Sequence, residues 1–143
     1  LGPGQSPAFA ASGFARQIAA AELAGAEAVE LAVGNPAAAR DFTDIRDTAR
    51  ALVEASRSEL TGVYNICSGR PLKLEALIAE MAKATPLALE VVPDPSLTRP
   101  ADPSVVYGDP ARLREAIGWT PEIPLSRSVA DLLDWWRAEL GNA

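Results

Sequence analysis

The sequence contains no histidine, and that absence excludes more chemistry than any single residue present suggests. Without imidazole there is no Ser-His-Asp or Cys-His nucleophile, and most zinc sites are excluded. One cysteine, Cys67, leaves no internal disulfide. It sits in Tyr64-Asn65-Ile66-Cys67, whose alternation predicts a short buried strand with the thiol as an inert apolar residue. Lysine is scarce: among 13 basic residues only Lys73 and Lys83 are lysines, against 19 acidic residues. The net charge of -6 argues against nucleic acid and against anionic membrane as partners. A cationic complement made mostly of guanidinium suits small anionic ligands, although GC-rich coding accounts for the same bias. The run of about eighteen apolar residues needed to span a bilayer is missing. Leu1-Gly2-Pro3-Gly4-Gln5 has neither the basic nor the apolar region of a secretory signal, so a cytoplasmic location is expected.

What is present suffices for one domain with a real core: 143 residues, 48% hydrophobic and 22% charged. Phe14, Ala15, Ile18 and Ala19 share one face of a helix that stops near Gly25. Val29 to Val33 alternates as a strand before the Gly34-Asn35-Pro36 turn. Ile45, Ala49, Leu52 and Val53 have the spacing of a helix packed by that face. Val63 to Cys67 predicts a strand, Leu74, Leu77, Ile78 and Met81 a third helix, and Leu89 to Val92 a further strand. From Pro93 to Pro110 the prolines predict a structured loop. Asp109-Pro110 opens a short helix ending at Gly118, and Val129, Leu132, Leu133, Trp136 and Leu140 form the stripe of a last helix. Trp119, Trp135 and Trp136 are expected to pack structurally rather than to stack on a base. The fold class is α/β, or α+β for the chain in isolation, with a small mixed sheet and several covering helices.

The stretch Arg40-Asp41-Phe42-Thr43-Asp44-Ile45-Arg46-Asp47 places two arginines and three aspartates around a strand-to-helix turn. Arg40, close to the Gly34-Asn35 turn, offers a planar fork of donors that matches a diphosphate. Asp44 is read as an N-cap and Asp47 as its capping-box-like partner three residues on. Both readings can hold at once.

These stretches, taken with Gly2-Pro3-Gly4-Gln5, Phe14-Ala15-Arg16-Gln17-Ile18, Tyr64-Asn65-Ile66-Cys67-Ser68-Gly69, Arg99-Pro100-Ala101-Asp102 and Gly118-Trp119, resemble the extended short-chain dehydrogenases/reductases that act on nucleotide-diphosphate sugars. The resemblance is to the C-terminal half of that family, in the branch of GDP-6-deoxy-D-mannose reductases and GDP-mannose 4,6-dehydratases. It implies that residues 1–143 are the nucleotide-sugar-binding portion, with the N-terminal Rossmann cofactor domain outside this chain. Two family signatures are missing here. Gly2 and Gly4 are followed by Ser6-Pro7-Ala8 with no strand before them, so no dinucleotide turn is formed. The residues four beyond Tyr64 and Tyr107 are Ser68 and Ala111, so no Tyr-x-x-x-Lys pair exists and no catalytic residue is assigned.

The resemblance implies NAD(P)-dependent reduction of GDP-4-keto-6-deoxymannose at C4 by the full-length enzyme. NAD(P) would be bound mainly by the other half, with no cofactor and no activity expected of this chain alone. Arg40 and Arg99 match family arginines that contact the diphosphate, and Asp102 matches a ribose-binding acid that is often Glu. Gly34 and Asn35 would let the backbone approach the base, and Arg16 is a further candidate for a phosphate or base. No metal site is expected. The ligand that the resemblance implies is a GDP-sugar or another NDP-sugar; epimerase or 4,6-dehydratase chemistry and a non-catalytic interaction domain are the alternatives. Apolar faces around Phe9, Phe14 and Ile18, normally covered by the Rossmann domain, are expected to be exposed and to favour self-association.

Overall fold

A computed structural model of the chain describes residues 1–97 and 103–142. The elements run α1 Ala10–Leu23, β1 Ala28–Val33, β2 Ala39–Asp41, α2 Ile45–Ser56, β3 Pro71–Lys73, α3 Leu74–Ala82 and β4 Ala88–Pro93. A 3-10 turn at Pro95–Leu97, β5 Val105–Val106, α4 Ala111–Ile117 and α5 Leu125–Gly141 complete them. β1 and β4 pair in parallel from Ala28 opposite Ala88 to Val33 opposite Pro93. In the second sheet, of order β3-β2-β5, β2 runs antiparallel to β3 and parallel to β5. This is the mixed α/β arrangement that the alternating periodicities predict.

The main core lies where α1, α3 and α5 close over β1. Ile18, Leu31, Leu77, Met81, Val129, Leu132 and Leu133 are all fully buried there. Burial of such side chains contributes about 1.5–3 kcal/mol each against the entropy of ordering the chain. Polar links fix how α1 and α5 meet. Trp136 Nε1 donates to Ser12 Oγ at 2.9 Å, and Arg137 reaches both carboxylate oxygens of Glu22 at 2.7 Å. α1 ends in a Schellman motif: Gly25, at φ 70°, donates to Glu22 O, and Ala26 N–H donates to Ala21 O. A second, smaller cluster gathers Ala51, Leu113 and Trp119. Trp119 and Trp136 are 1% and 7% exposed, so both serve packing.

Three expectations need correction. Val63 to Cys67 is not a strand, and Val63 is 80% exposed. No described strand lies beside it to complete a ladder, and side chains anchor the segment instead. Arg112 donates to Val63 O and Thr61 O while lying 4.3 Å over the Tyr64 ring, and Asn65 Nδ2 donates to Asp109 O. The α2 stripe of Ile45, Ala49, Leu52 and Val53 faces outward, and Asp47 and Ala51 take the packed side. Its helical spacing is real, but the described chain leaves each of these side chains largely exposed. Of the three residues expected on the exposed face of α1, Phe14 and Ile18 are buried and Phe9 is 61% exposed.

Candidate functional site

β1 and β4 run parallel, and open parallel sheets place ligands beyond the carboxyl ends of their strands. At that end β1 passes into Gly34-Asn35, where Asn35 Oδ1 accepts the Ala37 N–H at 3.1 Å and its carbonyl accepts that of Ala38. The turn delivers the chain to β2, so Arg40 stands on the next strand. Gly34, Asn35 and Arg40 all border one cavity of about 850 Å³. Ligand sites typically span about 300–1,000 Å³. Arg40 Nη1 donates to Ala39 O at 2.8 Å, which folds the guanidinium back along its own strand.

The other candidates lie elsewhere. Arg16 is exposed on α1 with its guanidinium carbon 5.8 Å from the Trp136 ring centroid, and it does not border the cavity. Arg99 and Asp102 lie outside the described residues. Sequence reasoning did not assign Gln5, Gln17 and Phe42 to the site and named Phe9 only as part of an exposed apolar face, yet all four line the cavity. Gln17 Nε2 donates to Gly13 O one turn earlier, and the buried Gln5 Oε1 has no partner among the described residues. Gln5 and Gln17 stand inside the very stretches that carried the resemblance, which was the available signal.

Of the three aspartates around this turn, Asp41 lies on the cavity wall, and Asp44 and Asp47 tie α2 to the rest of the chain. Asp41 accepts the N–H groups of Ser68 and Gly69, both at 2.8 Å. Asp44 caps α2 through the Arg46 N–H and also accepts the Arg46 guanidinium and the Ser128 hydroxyl. Burial pushes its carboxyl up, but the Arg46 side chain, Ser128 and the Arg46 N–H outweigh that and bring it down to about 2. Asp47 departs from the expected capping box. Its carboxylate accepts Glu122 N–H, Ile123 N–H and Arg50, and its carbonyl accepts Trp119 Nε1–H. Burial raises its carboxyl, yet those partners hold it below the usual range.

Cys67, also on the cavity wall, is pushed up by burial and by the nearby Asp41 and Asp109 carboxylates, so its thiol stays protonated at neutral pH. No group of three or more Cys, Asp or Glu side chains among the described residues is placed to hold a metal. No helix among them is long and apolar enough to cross a membrane. The glycine turn after β1 is not a Rossmann-type pyrophosphate seat. It leads into strand β2, whereas such a seat needs a glycine turn that opens a helix. Arg40 brings a guanidinium to the cavity lining, and Asn35 and Gln17 bring side-chain amides.

The chain is similar to known proteins of one family. The profile of the GDP-mannose 4,6 dehydratase family matches residues 1–132. The chain is 38% identical over 141 residues to the GDP-6-deoxy-D-mannose reductase of Pseudomonas aeruginosa, covering 98% of this chain and 46% of that protein. Among solved structures, RMD from Pseudomonas aeruginosa complexed with NADPH superposes with a TM-score of 0.86 at 36% identity, over 97% of this chain and 45% of that one. The UDP-glucose 4-epimerase of Thermus thermophilus, solved with NAD, gives 0.78 at 28% identity over 96% of this chain and 43% of that one. The chain thus spans less than half the length of these relatives. It belongs to the GDP-mannose 4,6-dehydratase family and shares the fold of the nucleotide-sugar short-chain dehydrogenases/reductases.

Proposed function

We propose that this chain is the nucleotide-diphosphate-sugar-binding half of an NAD(P)-dependent reductase that acts on GDP-4-keto-6-deoxymannose at C4. The observation that carries the reading is the meeting of Arg40 and the Gly34-Asn35 turn on one cavity at the carboxyl end of β1. The 38% identity to a GDP-6-deoxy-D-mannose reductase supports the choice of base and sugar. Arg40 would pair with the diphosphate, and Gly34 and Asn35 would lie along the base. Arg99 would be the second diphosphate arginine, and Asp102 the acceptor for ribose hydroxyls.

In this reading NAD(P) is held by the other half of the protein, and the chain alone binds ligand without turning it over. Its contribution to rate is orientation, because binding energy from the remote diphosphate fixes the sugar in place. The outward apolar stripe of Ile45, Ala49, Leu52 and Val53 suits a face that the cofactor half covers. The likeness to a UDP-glucose 4-epimerase keeps a UDP-sugar epimerase as a second reading.

Calorimetric titration with GDP, GDP-mannose and UDP tests the proposal. The guanine ligands should bind more tightly than UDP, and Arg40→Ala and Arg99→Ala should each weaken GDP at least about tenfold, the scale of a charge-assisted contact. Tighter UDP binding would favour the epimerase reading, and no binding of any of the three would overturn nucleotide-sugar recognition.

A further inference from the structure

Arg40 rides on a strand of three residues, too short to hold its own position. At the start of this segment the ties are backbone bonds: Leu74 N–H donates to Ala38 O, and Ala39 N–H donates to Ser104 O. At the far end the strand has less support. Asp41 faces Pro71 across the β2–β3 ladder, and proline has no N–H to give. The β2–β5 pairing covers only Ala39 and Arg40. What secures this end is the Asp41 side chain. Oδ1 accepts Ser68 N–H and Oδ2 accepts Gly69 N–H, each at 2.8 Å, and Thr43 Oγ1 donates to Oδ1 at 3.2 Å. Gly69 lies at φ 72°, so two successive amides turn toward one carboxylate and form an anion-binding concavity. Hydrogen bonds to an ionised acceptor are roughly twice as strong as neutral ones.

We propose that Asp41 is a positioning residue: by gripping the Ser68 and Gly69 amides it fixes the strand that presents Arg40 to the diphosphate of the ligand. This rests on the nucleotide-sugar reading above and adds to it a residue of the cavity wall that acts through Arg40. The same grip ties β2 to Ile66 and Cys67, which border the cavity beside Arg40. Losing the grip therefore changes the distance between two parts of the wall and leaves the binding groups themselves intact.

The test is a double-mutant cycle read by calorimetry with GDP on the unaltered protein, Arg40→Ala, Asp41→Asn and the pair. Asp41→Asn keeps the size and one acceptor oxygen, and should weaken GDP about tenfold. With Arg40 already replaced, Asp41→Asn should change the affinity by less than about twofold, since nothing is left to position. A purely structural role would not give this coupling, because a general loss of stability acts equally in both backgrounds. Asp41→Glu is the second variant. It keeps the charge and both acceptors but lengthens the arm by one methylene, and should weaken GDP in the same Arg40-dependent way. Unchanged GDP affinity in Asp41→Asn, or an equal loss with and without Arg40, would overturn the positioning role. Failure of the unaltered protein to bind GDP, or unchanged affinity in Arg40→Ala, would overturn instead the reading on which it rests.

Discussion

Asp44 and Ser128 stand 84 residues apart in sequence and share a hydrogen bond in which both side chains are almost wholly buried. That bond ties the start of α2 to the first turns of α5. Arg46 completes the arrangement by pairing with Asp44 at 2.8 Å and with Asp131 of α5 at 2.7 Å. A single aspartate thus caps a helix, accepts a buried hydroxyl and anchors a guanidinium, which is why its carboxyl is held near 2.

The pH dependence of stability follows from that depression. An unfolded aspartate titrates near about 3.9, so the native carboxylate contributes stability that is complete above that value and is lost as pH falls toward 2. The expected contribution is about 2 kcal/mol. Urea unfolding of the native protein at neutral pH and at steps between pH 4 and 2 should show the midpoint falling through this window. Asp44→Asn should be less stable at neutral pH and should show a shallower fall. An equal slope in the variant would assign the acid sensitivity to other carboxylates.

Arg137 supports a second prediction. It pairs with both oxygens of Glu22, donates to Ala84 O and reaches Asp134 at 2.7 Å, joining α1, α5 and the loop before β4. The pairing with Glu22 uses the planar fork of the guanidinium. Arg137→Lys keeps the charge but cannot reproduce the two-pronged contact, so it should destabilise by about 1 kcal/mol and Arg137→Ala by about 2 kcal/mol. Chemical denaturation distinguishes the two, and a fully tolerated lysine would show that charge alone matters.

Much of this was legible in the sequence, and the parts that were not have physical causes. Helices α1, α3 and α5 were readable because their apolar stripes find partners within the chain. Leu77, Ile78 and Met81, for instance, are buried as their spacing predicts. The stripe of α2 was equally periodic but points outward, since periodicity reports amphipathicity and not which face is covered. Val63 to Cys67 has strand composition, but a strand is made by a neighbour and no described strand is beside it. The pairs formed by β2, β3 and β5 span only two or three residues, below what alternation can reveal. In the candidate site, Arg40 was named from guanidinium geometry and Gly34-Asn35 from the family resemblance, and the structure brings the three to one cavity. The backbone partners of Asp41 and Asp47 were not readable, because the amides that reach their carboxylates lie 27 to 76 residues along the chain.

Ser12 gives a third prediction. Its hydroxyl accepts from Trp136 Nε1 at 2.9 Å and donates to Gln5 O at 2.6 Å, linking α5 to the loop that carries Gln5 on the cavity wall. Ser12 is fully buried. Ser12→Ala would leave the indole N–H and a carbonyl without this partner, at a cost of about 2 kcal/mol. The loss should appear in the denaturation midpoint, together with weaker GDP binding as the Gln5 loop loosens. Unchanged GDP affinity in a destabilised Ser12→Ala would separate that loop from the site.

The exposed face of α2 separates packing within the chain from packing against something else. Leu52 and Val53 are 58% and 48% exposed, so replacing either with aspartate removes little buried area and should change the stability of this chain by no more than about 0.5 kcal/mol. A surface that another half of the protein covers should behave differently once that half is present. There Leu52→Asp would bury an unpaired carboxylate, a change expected to cost several kcal/mol and to lower activity or assembly. In the chain alone the same substitution should reduce binding of an apolar fluorescent dye and shift any self-associated species toward monomer in sedimentation. If Leu52→Asp is silent in both settings, the stripe is ordinary solvent-facing surface, and the docking part of the functional proposal falls without touching the ligand site.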